Sequence, residues 1–409
     1  MEPNTLEQRA LELLHDACSP HGILASPEAR DNYRRIWSRD AIIAGIAGLL
    51  TGDRKLLDGF RRSLLTLAAW QHPLGMIPSN VLPADAAEEA EEPPEVSYGT
   101  LAGRIDATCW FVVGSCLYLI HRDDDELCGQ LEPRLRKALN LLDRWEMNGK
   151  GLLYTPLGGN WADEYPVEGH TLYDNLLRVW GMQLFAHLFS DERLFQRGSW
   201  IKKKIAVNFW PLPENRDHPD IYHPRAFEEF AEKSISHLPC SIGPRGYNFY
   251  FDAAGHALAL LLGLTTDDQN RAVADYTREI QSTLGRKLIP AFWPVITEED
   301  PRWLDLKLNY RYSFKNKPHH FHNGGIWPVW MGWYGMGMRT IGMESVAEEM
   351  LEEWIGLADR GGEGTLFNEY IASDTFEPSG KERLSFSASG LLFLTSAVND
   401  SFRSKLPVT

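Results

Sequence analysis

Residues 104–122, RIDATCWFVVGSCLYLIHR, are apolar on nearly every side of a helix, whereas residues 130–147, which follow after a short polar break, are apolar on one side only. A helix apolar all round has to be buried, and one with a polar side faces water. The same alternation runs along the chain. Residues 33–50, 104–122, 168–189, 248–264, 322–342 and 386–398 read as buried helices. Residues 5–18, 54–71, 130–147, 192–210, 266–284 and 344–358 read as amphipathic ones, with a further short stretch at 225–236. Strand-like alternation is nearly absent, which predicts an all-α chain. Buried and amphipathic helices taken in turn predict an inner ring wrapped by an outer one. Six such pairs, each of roughly 60 residues, close as an (α/α)6 barrel; an open solenoid of helix pairs is the alternative. No stretch reads as a linker, so residues 1–409 are expected to form one domain.

Composition narrows the partners. The 409 residues are 44% hydrophobic and 24% charged, and carry a net charge of −15. Such a charge repels phosphate backbones and anionic lipid, which argues against nucleic-acid and membrane partners. The chain holds 14 Trp, 14 Tyr and 18 Phe, many beside Gly, Asn, Asp or His instead of inside apolar runs. That mixture suits a concave site for a small carbohydrate, where rings stack on the sugar face and polar groups bond its hydroxyls. The five cysteines form no CxxC pair, so no disulfide framework or zinc site is indicated. The N-terminus MEPNTLEQRA lacks the pattern of a signal peptide, and no apolar run reaches membrane-spanning length. A reducing, cytoplasmic setting is expected. The acidic, proline-containing run at 84–95 reads as a solvated loop, 211–224 and 285–320 as irregular connections. Whether the chain forms a homo-oligomer is left open.

Polar and aromatic residues cluster just before the buried helices: Trp37-Ser38-Arg39-Asp40, Arg104-Ile105-Asp106, Trp161 to Glu168, Tyr247 to Asp252, and His319 to Trp327. If those helices form the inner ring, the clusters meet at one end of it, where helix N-termini also present free N–H groups. The stretch GGNWADEYPVEGHTLYDN at 158–175 is central: it sets Asp163 and Glu164 beside Trp161 and Tyr165 on a loop entering a helix. A carboxyl held against an apolar ring has its charged form disfavoured, as a general acid needs. The competing expectation makes Asp163 or Glu164 a first-turn acid that complements the helix dipole. The candidate carboxylates are Asp40, Asp106, Asp163, Glu164, Glu168, Asp252 and Glu369. Two of them opposed across a pocket can hydrolyse a glycosidic bond, one as acid and one as base. His319, His320 and His322 could hold a metal, but no acidic or Cys ligand sits near them at helical spacing. No metal or cofactor is expected.

HNGGIWPVW at 322–330, preceded by KNKP at 315–318, closely resembles the HNGG-SWPV signature of neutral/alkaline invertases, glycoside hydrolase family 100. WSRD at 37–40, GMIPSN at 75–80, GRIDATCWFVV at 103–113, FYFDAAGHALALLLGL at 249–264 and NEYIASDTFEPSGKERLSFSASGLL at 368–392 are similar to further segments of that family, in family order. The resemblance extends to the (α/α)6 glycosidases that include trehalases, glucoamylases and the glucosidases of family 63. It implies an inverting glycoside hydrolase with Asp163 as acid and Glu369 as base. It places Arg39 and Asp40 on hydroxyls of the sugar whose bond breaks, and matches Asp106 and Glu168. Trp37, Trp161, Trp327 and Tyr370 would then line the sugar site, with His322 and Asn323 donating to hydroxyls.

The chain departs from the family where the pocket is built. Asn160-Trp161-Ala162-Asp163-Glu164-Tyr165 replaces a segment with a double Arg, Gly255-His256 a Gly-Asn, and Leu384-Ser385-Phe386-Ser387 a Gln-Thr-Trp-Ser. The substrate is therefore left as sucrose, trehalose, a maltose-type sugar or another α-glucoside. Two other functions stay in view. A sugar epimerase needs a proton-transferring histidine pair, for which His256 and His322 are candidates. A sugar-binding protein on the same fold needs no carboxylate pair, and Asp163 with Glu369 argues against it.

Overall fold

The computed structural model describes residues 3–28, 32–83, 95–99, 103–361 and 367–407. Except for Glu95, the acidic run at 84–95 lies outside them. Among the described residues the helices are α1 Pro3–Ala17, α2 Ser38–Thr51, α3 Arg54–Ala69, α4 Ile105–His121, α5 Asp125–Arg144, α6 Leu172–Phe189 and α7 Glu192–Phe209. There follow α8 Pro224–Ala231, α9 Ala253–Leu261, α10 Asp267–Leu284, α11 Trp303–Leu308, α12 Pro328–Thr340, α13 Glu344–Gly361 and α14 Ser385–Val398.

Hydrophobic pattern sorts these helices into two rings. In α4 every residue from Ile105 to Leu119 is buried, and α6, α9, α12 and α14 are buried almost throughout. In α3, α5 and α10 only one stripe is buried, such as Leu127, Leu131, Leu135 and Leu142 of α5. The buried helices pack in the cycle α2–α4–α6–α9–α12–α14 and back to α2. That closure excludes the open solenoid and gives the (α/α)6 barrel. The outer helices lean on it: α3 on α2, α5 on α4, α7 on α6, α13 on α12 and α1 on α14. Thr277 of α10 shares a hydrogen bond with Tyr334 of α12 at 2.6 Å. α12 crosses α14 at close range: a Cβ on Gly332 would lie 2.2 Å from the Gly390 carbonyl oxygen. Leucines there would force the ring apart.

Most inner helices start later than their apolar pattern. The stretch at 168 becomes helical only at Leu172, that at 248 at Ala253, that at 322 at Pro328 and that at 33 at Ser38. The residues just ahead pair instead as short antiparallel strands: Ile36–Trp37 with Asn80–Val81, His170–Thr171 with Ser241–Ile242, and Phe251–Asp252 with Phe292–Trp293. No described strand exceeds three residues, too short for alternation to register in a sequence. The late start also removes Asp163 and Glu164 from any first helical turn. In the inner helices the acids that do sit in first turns are Asp40, Asp106 and Asp174.

Candidate active site

The entrances of the inner helices gather the expected clusters at one end of the barrel. Asp40 and Asp106 are buried there on neighbouring helices α2 and α4. Arg39 lies between them: its Nη1 donates to Asp106 at 2.7 Å and its Nε stands 4.0 Å from Asp40. Burial pushes the Asp40 carboxyl up to about 6, with Arg39 opposing and Asp106 and Glu369 adding to the rise. The guanidinium also faces the Phe386 ring at 5.5 Å. One cation spread over two acids and a ring is held rigidly, as a hydroxyl-binding group should be.

Asp163 sits on the loop between α5 and α6. Asn309 donates to its backbone carbonyl, and Asn316 to that of Glu164 at 2.8 Å. Beneath the loop, Asp174 accepts from Thr155, Asn160 and Thr171 at 2.7 to 2.9 Å. Burial pushes the Asp174 carboxyl up to about 7, against those hydrogen bonds. The Asp163 side chain remains 30% exposed and forms an ion pair with Arg104. Its environment differs from expectation. Burial drives its carboxyl upward, but the Arg104 guanidinium, with Arg39 further off, outweighs that and holds it below the usual aspartate value. The sequence placed Asp163 against an aromatic ring that would keep it protonated. Arg104 pairs with Asp163 directly, and a full charge outweighs a low-dielectric neighbour.

Glu369 follows the opposite pattern. It is 6% exposed and lies between the α13–α14 connection and the segment before α2. Tyr33 donates its hydroxyl proton to Oε1 at 2.6 Å, and the Lys381 amide donates to Oε2 at 3.2 Å. Gly380, at φ +77°, leaves room for it: a Cβ there would sit 2.5 Å from Oε2. Burial raises the Glu369 carboxyl, with Tyr33, Lys315 and Lys381 opposing. The two acids share a field. Tyr33 is influenced by Glu369, Asp40 and Asp163, and Glu164 by both Asp163 and Glu369. Burial also raises Glu164, with Lys315 opposing at 4.0 Å.

Aromatic rings join the two halves. His322 stacks on Trp327 at 5.2 Å, and Trp327 on Tyr370, next to Glu369, at 6.2 Å. Trp161 meets His322, Trp327 and Trp330 at 5.0 to 5.3 Å and stacks on Phe292. At 2% exposure Trp161 is a floor under the pocket more than a wall of it. Trp37 is half-buried beside Tyr33 and donates its indole N–H to the Asn32 carbonyl. His322 is buried, and that pulls its imidazole down to about 3 despite Asp163. It is neutral, with one nitrogen unpartnered.

Three expectations require correction. Asn323 donates nothing to a sugar: its side chain accepts from the Ile296 amide at 2.7 Å and donates to the Ile296 and Asn316 carbonyls. It ties the 285–320 connection to the barrel. Glu168 does not join the cluster; it is exposed, and the charge it acts on is Arg245. His256 cannot pair with His322 for proton transfer, because both its nitrogens are bonded, to the Leu238 amide and the Asp252 carbonyl. The three histidines of HHFH also diverge: His319 bonds Ser373, His320 lies near Asp374, and His322 is within the aromatic cluster. Asp252 is the cap of α9, accepting from the Ala254 amide at 3.0 Å. Tyr33 went unnoticed in sequence. Nothing local marks it, since it meets Glu369 across 336 positions of chain.

The model of the alkaline and neutral invertase family matches residues 219–392, under half of the chain. That range includes His322, Trp327 and Glu369 but not Asp163. A probable alkaline/neutral invertase A, chloroplastic, of Arabidopsis thaliana is 21% identical over 93% of this chain and 67% of its own length. A neutral/alkaline invertase 3, chloroplastic, of Oryza sativa subsp. japonica is 23% identical over 80% of this chain and 62% of its own. This chain thus spans about two thirds of the relatives' length. Other relatives carry mitochondrial and cytosolic names. Among solved structures, a family 63 mannosylglycerate hydrolase of Thermus thermophilus superposes with a TM-score of 0.58 at 17% identity, over 95% of this chain and all of that one. It shares the fold. The resemblance to neutral/alkaline invertases is borne out, and these findings support a glycoside hydrolase.

Proposed function

We propose that this chain, similar along most of its length to neutral and alkaline invertases, hydrolyses the glycosidic bond of an α-glucoside disaccharide or short oligosaccharide with inversion. The observation that carries the reading is the pair Asp163 and Glu369, influencing common neighbours in an aromatic pocket lined by His322, Trp327 and Tyr370. In the reaction, the Asp163 carboxyl gives its proton to the glycosidic oxygen as the bond to the anomeric carbon breaks. Glu369 takes a proton from a water that attacks that carbon from the opposite face. The sugar leaves with inverted anomeric configuration, and the proton returns from Glu369 to Asp163 through solvent. Arg39 and Asp40 bond hydroxyls of the reacting ring, and Trp327 with Tyr370 stacks on it.

The whole chain acts as one catalytic domain in this reading. All five cysteines are unpaired, which suits a reducing, cytoplasmic setting. The test is sugar release from sucrose, trehalose, maltose and isomaltose, with proton NMR following the first anomer formed. One disaccharide cleaved to the inverted anomer supports the reading. Failure to cleave any glycoside, or a retained anomer, contradicts it.

A further inference from the structure

Tyr33 belongs to no recognised motif, yet it makes the shortest side-chain contact to Glu369. It is held in place independently of that contact. The Ser26 amide donates to its carbonyl at 3.0 Å, and the Ala25 amide to that of Arg35 at 2.9 Å. The Ala25 carbonyl in turn accepts from the Ser385 amide, and the Ser385 hydroxyl donates to the Leu24 carbonyl. Ser385 opens α14, the helix that follows Glu369. Residues 24–26, bonded to residues 33 and 35 on one side and to Ser385 on the other, therefore fix both the phenol and the base of the helix behind its partner. The ring lies against Trp37 at 6.5 Å, so its position does not depend on the hydroxyl.

We propose that Tyr33 is the positioning residue of Glu369: its hydroxyl fixes the carboxylate's orientation and favours the ionised form that can accept a proton from water. The proposal rests on the hydrolase reading for its catalytic meaning. A donor aimed at a carboxylate oxygen stabilises the charged form. Tyr33 acts against burial and against Asp40, Glu164 and Tyr370, and with Lys315 and Lys381, the charged and titratable groups that face Glu369. Glu369 is left with Oε1 on the phenol and Oε2 on a backbone amide, so its plane is set before any sugar arrives. A preset base avoids reorganisation during the reaction.

The test compares wild type with Tyr33→Phe, which keeps the ring and removes only the hydroxyl. Carbon-13 NMR of protein labelled at the glutamate carboxyl carbon, with the Glu369 signal assigned from Glu369→Gln, gives the titration of that carboxyl directly. The expected result is a Glu369 midpoint about one pH unit higher in Tyr33→Phe, the size of one charge-assisted hydrogen bond. The bend in kcat/KM against pH where Glu369 titrates moves by the same amount, kcat falls about tenfold, and product glucose binds as before. An unmoved midpoint overturns the proposal, whatever the rate. A moved midpoint in a protein that cleaves no glycoside leaves the Tyr33–Glu369 coupling standing and removes the hydrolase reading.

Discussion

Asp163 and Glu369 lie near enough to act on Tyr33 and Glu164 in common, and burial works to raise the carboxyl of each. Their carboxyls end shifted in opposite directions because their partners differ. Asp163 has Arg104, a full and fixed charge, and is held ionised. Glu369 has a phenol and an amide as direct partners, with Lys315 and Lys381 acting by charge; together they offset burial only in part, and it is left raised. In the proposed reaction Asp163 gives a proton and Glu369 takes one, so each starts from an environment that opposes its role, and contacts made by substrate have to offset that. Burial tells where a carboxyl is hard to ionise; the nearest charge decides whether it ionises.

The contrast can be broken or sharpened by substitution. Asp163→Asn removes the proton donor and Glu369→Gln the proton acceptor, and kcat on the cleaved disaccharide should fall by about two to four orders of magnitude in both. Retention of most activity in either would remove that residue from the chemistry. Asn323→Ala probes the scaffold beneath the pair. It strips three side-chain hydrogen bonds from a buried loop anchor and should cost about 3 kcal/mol in urea unfolding, while activity per folded molecule stays near wild type. A stable variant that has lost sugar binding would return Asn323 to the pocket.

Arg104→Gln tests the asymmetry itself. Arg104 lowers Asp163, so its removal should raise that carboxyl by about one unit, and the bend in kcat/KM that follows Asp163 should move to higher pH. An unmoved bend would mean that Arg104 is not what keeps Asp163 ionised. Trp327→Phe is the smallest change. The shorter stack between His322 and Tyr370 should raise KM several-fold, with kcat within twofold.

Sequence made the barrel legible because the six inner helices are apolar all round, and this survives even where their starts are misjudged. The starts were misjudged because Phe251 or Ile36 suits a short strand as well as a helix, and only the partner across the pair decides. Asp163 and Glu369 were singled out in sequence by position within the family resemblance. Their charge states were not legible, since Arg104 and Tyr33 reach them from distant positions, 59 and 336 residues away along the chain. Asn323 misled for the converse reason: a residue inside a signature was serving the fold.

The central claim is that Asp163 is the acid and Glu369 the base. An α-glucosyl fluoride carries a leaving group that needs no proton, so its hydrolysis dispenses with the acid but not with the base. The account predicts that Asp163→Asn hydrolyses the fluoride at near wild-type rate while failing on the disaccharide, and that Glu369→Gln fails on both. Fluoride hydrolysis that survives in Glu369→Gln and is lost in Asp163→Asn would contradict the account and exchange the two roles.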